Sequence, residues 1–128
     1  VAVVQAAPIL FDKNKTIEKI EVLVSDAASK KAELILFPEV FIPGYPRGLS
    51  FGTVVGNRSE EGRNLFLTYW ENAIQIPGAE MEALGKMAKK AKAFLVIGVT
   101  EKILSVIRFT ALLSTFPIKE YTLANIGK

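Results

Sequence analysis

The sequence predicts an α/β domain that opens with a βαβ unit. Two short apolar runs, residues 1–6 and 34–37, flank a segment of helical period at 14–32, and a third apolar run follows at 94–99. Strand, helix and strand within about 38 residues imply two parallel strands joined by a right-handed crossover.

The first run is rich in Val and closed off by Pro8, too short for a helix, and reads as a buried strand. It begins at Val1 with no Met ahead of it, so the natural domain is expected to start earlier. In the segment that follows, Ile17, Ile20, Leu23, Val24, Ala27 and Ala28 recur at spacings of three and four. Lys15, Glu18, Lys19, Asp26 and Lys30 fall on the opposite face, and Asn14 or Thr16 is the expected cap. Leu34, Ile35, Leu36 and Phe37 then make a second strand, stopped by Pro38. Residues 38–58 carry three prolines and four glycines and predict a long, shaped loop.

Residues 59–73 predict a second helix, with Ser59 as cap and an apolar stripe of Leu65, Phe66, Tyr69, Trp70 and Ala73. Pro77 and Gly78 interrupt, and 79–92 predict a third helix on Met81, Leu84, Met87, Ala88 and Ala91. Lys86, Lys89, Lys90 and Lys92 lie on and beside its solvent face, which a solvated helix end explains. FLVIGV at 94–99 predicts a third strand, buried on both faces.

Composition bounds the chemistry. The chain has 128 residues, half of them apolar, which suits one packed core and argues against disorder. Its 16 Lys and Arg against 13 Asp and Glu leave a charge of +3, too small an excess to indicate nucleic acid. The longest uncharged stretch, residues 1–11, falls well short of the roughly 20 residues that span a bilayer, so no membrane partner is expected. No basic and apolar leader is legible, and a soluble, cytoplasmic protein is the expectation. The absence of cysteine and histidine excludes thiol nucleophiles, Cys/His metal sites and imidazole acid–base chemistry within these residues. There is no Gly-rich phosphate loop either, and neither metal nor cofactor is expected.

An apolar strand that ends in a Pro-bracketed loop delivers its first loop residues to the carboxyl edge of the sheet, where open α/β folds place ligands. Glu39 stands there, after four apolar residues and before Val40, Phe41 and Ile42, and should be poorly hydrated, a setting that suits a general base. A capping or ion-pairing carboxylate fits the same spacing. Tyr45 and Arg47 follow at the same edge.

The strand VAVVQAAP, the helix after it, LILFPEVFIPGYP, GNRSEEG, the IPGAE turn and FLVIGVTEK, in this order and spacing, resemble the N-terminal part of the nitrilase branch of the carbon-nitrogen hydrolase superfamily. The resemblance covers residues 1–102. It implies the N-terminal half of an αββα sandwich, made of the βαβ start, the long Pro/Gly loop, two helices and the third strand, with one apolar sheet face left uncovered. It implies hydrolysis of small-molecule nitriles to carboxylic acid and ammonia by a Glu-Lys-Cys triad in a homo-oligomer without cofactors. Carried over residue by residue, the general base is Glu39, and Tyr45 falls near the substrate pocket. The lysine and cysteine of the family lie further downstream, and none of Lys86, Lys89, Lys90 or Lys92 corresponds to that lysine. A chain with only the glutamate is expected to be inactive alone, or to serve as a non-catalytic partner that pairs with full-length subunits.

Residues 103–128 depart from the family and lack a clean period of either kind. When the last base of each codon is read with the first two of the next, residues 108–128 can encode LYCTVVYFSHKGIYLGKHRK, a peptide like the one nitrilases carry at this place. A frame change near residue 103 is therefore expected, and in the shifted frame the family's lysine codon straddles Gly127 and Lys128.

Overall fold

The computed structural model describes residues 1–54, 57–104, 106–114 and 123–124. Half of the expected out-of-frame tail, including its lysine codon at residues 127–128, lies outside the described residues. Element order is β1 (Ala2–Val3), α1 (Lys13–Ser29), β2 (Leu34–Leu36), β3 (Thr53–Val54), β4 (Asn57–Arg58), α2 (Glu60–Glu71), α3 (Ala79–Ala91), β5 (Phe94–Ile103), β6 (Val106–Ser114) and β7 (Leu123–Ala124).

One sheet runs in the order β1-β2-β5-β6-β7, and β3 with β4 forms a separate antiparallel pair inside the long loop. The β1-α1-β2 unit is present, and β2 pairs parallel with both β1 and β5. β5 meets β6 antiparallel along its whole length, from Leu95 opposite Ser114 to Ile103 opposite Val106.

Ile35, Leu95, Ile97, Val99 and Leu112 form a core with Ile20 and Val24 of α1 and Met81, Leu84 and Ala88 of α3. Each such side chain contributes roughly 1.5–3 kcal/mol by leaving water. The next residues along the strands face the other way, and there Val3, Leu36, Phe94 and Phe109 are exposed. Helices α1 and α3 thus cover one face of the sheet and leave an apolar face open.

Several local expectations are corrected. β1 is not a buried strand: it is the edge strand, and Val3 is 66% exposed. The cap of α1 is Asp12, whose Oδ1 accepts from the Lys15 N–H. Thr16 instead turns inward, where its hydroxyl donates to the Ile9 carbonyl and accepts the Ile9 N–H. Ser59 does cap α2, accepting from the Gly62 N–H. Of the stripe expected on that helix, Tyr69 and the following Ala73 are buried while Phe66 is exposed: Tyr69 reaches inward between Phe11 and Phe51, and Phe66 meets the edge of Phe51 from outside. β5 continues four residues past the expected end and is not buried on both faces, since Phe94 is 44% exposed on the open side.

The two covering helices are tied at their N-termini by an ion pair, Lys13 Nζ to Glu80 Oε1 at 2.6 Å, with both side chains largely shielded. Partial burial pushes the Glu80 carboxyl up, but donation from the Lys13 ammonium and from a backbone N–H outweighs it and holds the group below its ordinary range. A carboxyl that is more acidic in the folded state stabilises the fold above its unfolded value and loses that contribution as pH falls through the folded one. Thermal midpoints should therefore drop as pH is lowered below about 4.5, and Glu80→Gln should flatten that acid limb and lose about 0.5–1 kcal/mol near neutrality. An unchanged acid limb in the variant contradicts this assignment.

Candidate active site

The chain leaving β2 does not depart from the sheet at once. The Phe37 N–H donates to the Val96 carbonyl at 2.8 Å, and the Phe41 N–H donates to the Gly98 carbonyl at 2.7 Å. The Thr100 N–H donates to the Ile42 carbonyl, also at 2.7 Å. Pro38, Glu39 and Val40 form the turn between these attachments, with Val40 in the left-handed region at φ 48° and fully buried. Farther along β5, the Ile74 N–H donates to the Thr100 carbonyl and the Lys102 N–H to the Ile74 carbonyl. The Tyr69 hydroxyl bonds the Thr100 hydroxyl at 2.8 Å, and burial pushes the phenol up, which keeps it a neutral hydrogen-bonding group.

Glu39 therefore has a fixed backbone at the sheet's carboxyl edge. Its side chain does not meet the expectation of poor hydration: Glu39 is exposed, because Val40, Phe41 and Ile42 take the inward positions of the turn. No hydrogen bond or ion pair holds its carboxylate among the described residues. The carboxylate borders a cleft of about 150 Å³ on the open sheet face, lined also by Leu36, Val96, Gly98, Phe109 and Ala111. Tyr45, 54% exposed, stacks on Phe109 with ring centroids 6.3 Å apart and planes at 29°, so the structure links it to the same cleft through that ring. Arg47 is exposed two residues on, its N–H donating to the Tyr45 carbonyl. Lys86 and Lys90 line a different groove, between α1 and α3, together with Glu21.

A second carboxylate escaped the sequence reading. Glu101 is 4% exposed and accepts from Arg108 Nε at 3.0 Å, Arg108 Nη2 at 2.6 Å and the Thr110 hydroxyl at 3.1 Å. The signal was there: Leu95, Ile97, Val99 and Glu101 alternate onto one face once the strand is carried to residue 103. The two glutamates occupy opposite situations. Glu101 has all its local donors and joins β5 to β6, whereas Glu39 is held by its backbone with its carboxylate free to meet a ligand. The geometry suits proton transfer at Glu39 to or from a small, largely apolar molecule lying in the cleft. Among the described residues there is no group of acidic side chains that could hold a metal ion, and no helix is long and apolar enough to cross a membrane.

The fold and an exposed carboxylate after the second parallel strand define a class. The family model for carbon-nitrogen hydrolases matches residues 1–113, and the chain belongs to that family. Within it, the chain is 48% identical over 100 residues to a bifunctional nitrilase/nitrile hydratase of Nicotiana tabacum, an alignment covering 78% of this chain and 29% of that protein. It is 46% identical over 101 residues to an aliphatic nitrilase of Sinorhizobium fredii, covering 79% of this chain and 33% of that one. The chain thus spans about three tenths of the length of the curated relatives it matches. A carbon-nitrogen hydrolase from Helicobacter pylori shares the fold, with a TM-score of 0.59 at 19% identity over 94% of this chain and 37% of that one. The architecture is that of the N-terminal half of a nitrilase-type αββα sandwich.

The three hydrogen bonds that converge on Glu101 Oε2 predict that Glu101→Gln lowers stability by about 1–3 kcal/mol, since Arg108 and Thr110 lose a charged acceptor. Denaturant unfolding checks this, and an unchanged midpoint contradicts it.

Proposed function

We propose that these residues are the N-terminal part of a nitrilase that converts small organic nitriles to carboxylic acid and ammonia, with Glu39 as general base. The observation that carries the reading is the exposed carboxylate of Glu39, without a partner among the described residues, on a backbone turn clamped above an apolar cleft at the carboxyl edge of the sheet. Family membership and nitrilase relatives at 46–48% identity support it.

In this reading Glu39 takes the proton of a cysteine thiol, the sulfur attacks the nitrile carbon, and the nitrogen is protonated to give a thioimidate. Water adds with the same carboxylate as base, and the C–N bond breaks to release ammonia and leave a thioester. A second water cleaves the C–S bond, giving the acid and restoring the thiol. A lysine ammonium stabilises the charge that develops on the substrate. Tyr45 borders the substrate site beside Phe109. The 128 residues contain no cysteine, so in this reading the nucleophile comes from residues beyond these, and the triad lysine is the one read in the shifted frame across Gly127 and Lys128. We propose that the protein is a homo-oligomer, as its resemblance to nitrilases implies, and that it works in the cytoplasm.

We assign residues 1–102 to the family domain and 103–128 to an out-of-frame tail. The open apolar sheet face and the lack of cysteine favour one second reading, a non-catalytic chain that pairs with full-length nitrilase subunits.

Ammonia release from an aliphatic nitrile tests the proposal. The 128 residues alone should release none, the full-length gene product should be active, and Glu39→Gln should lower its kcat at least about 100-fold. Wild-type activity in Glu39→Gln overturns the reading. Sequencing the transcript tests the frame change: codons for Phe109 and Thr110 that cannot yield TAC across their junction exclude it.

A further inference from the structure

Glycine 98 lies under the Glu39 turn. Its carbonyl accepts from the Phe41 N–H at 2.7 Å and from the Ile42 N–H at 3.4 Å, and its own N–H donates to the Pro38 carbonyl at 3.3 Å. A Cβ placed on Gly98 would stand 2.6 Å from Glu39 Cα and 2.8 Å from Glu39 C, and would overlap the Val40 nitrogen. These neighbours are backbone atoms and cannot swing aside as the end of a long side chain can. The conformation of Gly98 is not what calls for glycine, since it is not among the residues of positive φ; the close approach is. Opposite it on β6 stands Ala111, another small residue, so the strand pair is lowest where the carboxylate overhangs the cleft.

We propose that Gly98 is a positioning residue for Glu39: the missing side chain lets the turn settle onto β5, and this fixes how far the carboxylate projects into the cleft. The proposal rests on Glu39 being the general base. Any side chain at 98 lifts the Glu39 Cα from the strand by about 1 Å, a displacement large enough to cost on the order of 100-fold in rate when proton transfer needs hydrogen-bond reach. Binding in the cleft depends less on that distance, so the loss falls on kcat.

The test is a two-by-two cycle in the full-length gene product, with Gly98→Ala, Glu39→Asp and the double variant assayed for ammonia release. Gly98→Ala should lower kcat by about 10–100-fold with KM changed less than about threefold. Glu39→Asp shortens the side chain by one methylene and should also be slow. In the double variant the lifted backbone and the shorter side chain offset each other, so its kcat should exceed that of Glu39→Asp alone. A purely structural glycine gives losses that multiply, with no such rescue, and that result overturns the proposal, as does a Gly98→Ala enzyme with unchanged kcat. If Gly98→Ala does not fold, hydrogen exchange of the Phe41 amide in the wild-type protein decides. Exchange as slow as that of β5 amides supports the clamp, and exchange at the rate of an exposed loop overturns it. Full activity of Glu39→Gln in the same assay separately overturns the general-base reading, and the role of Gly98 with it.

Discussion

Everything at the candidate site depends on how one edge of β5 is occupied. β2 holds that edge from Phe94 to Val96, the chain after the Glu39 turn takes it at Gly98 to Thr100, and Ile74 takes it at Thr100 to Lys102. Three stretches of chain are thus laid end to end along a single ten-residue strand. Backbone hydrogen bonds are each worth only about 1 kcal/mol net, but an unpaired buried N–H or carbonyl costs more, so the arrangement is specified by the penalty for leaving it. A turn held on both sides by such bonds gives Glu39 a defined origin while its side chain stays in solvent.

Two helices support that edge from one side, and the third reaches its far end from the other. Helices α1 and α3 seal the face carrying Ile35, Leu95, Ile97 and Val99, and the Lys13–Glu80 pair fixes their N-terminal ends together. Tyr69 brings α2 to Thr100, next to the point where Ile42 and Ile74 share the strand. The opposite face, with Leu36, Val96 and Phe109 around the cleft, has no such cover among the described residues. The Glu39 carboxylate borders this uncovered side. The division of labour between the two glutamates follows from the same geometry: Glu101 points into the covered side and is consumed by Arg108 and Thr110, while Glu39 overhangs the open side.

Local patterns made much of the fold legible. The spacing of Ile17, Ile20, Val24 and Ala27 predicted α1, and the apolar runs at 34–37 and 94–99 predicted the strands that frame the site. Burial was harder to read, because it depends on neighbours distant in sequence. Val3 looks like a core residue yet occupies an edge strand, and Phe94 looks buried yet faces the uncovered side. The position of Glu39 at the sheet edge was legible from the Pro38 break, but its exposure was not, since a single left-handed residue at Val40 decides which side chains of the turn face inward. Glu101 was missed for a related reason: a charged residue is a natural place to end a strand, and only the partners brought by β6 make it an interior one. The assignment of Glu39 as a general base rests on resemblance, because spacing alone leaves a capping carboxylate open.

In the proposed reading, β5 presents Glu39 to a cysteine thiol. A crystal structure of the full-length gene product tests it by the distance from the Glu39 carboxylate to the nearest cysteine sulfur. A separation near hydrogen-bond reach, about 3–4 Å, with the Phe41–Gly98 bond intact, is the expected result. A Glu39 carboxylate paired with a basic side chain on the protein surface, with no cysteine facing the cleft, would contradict it.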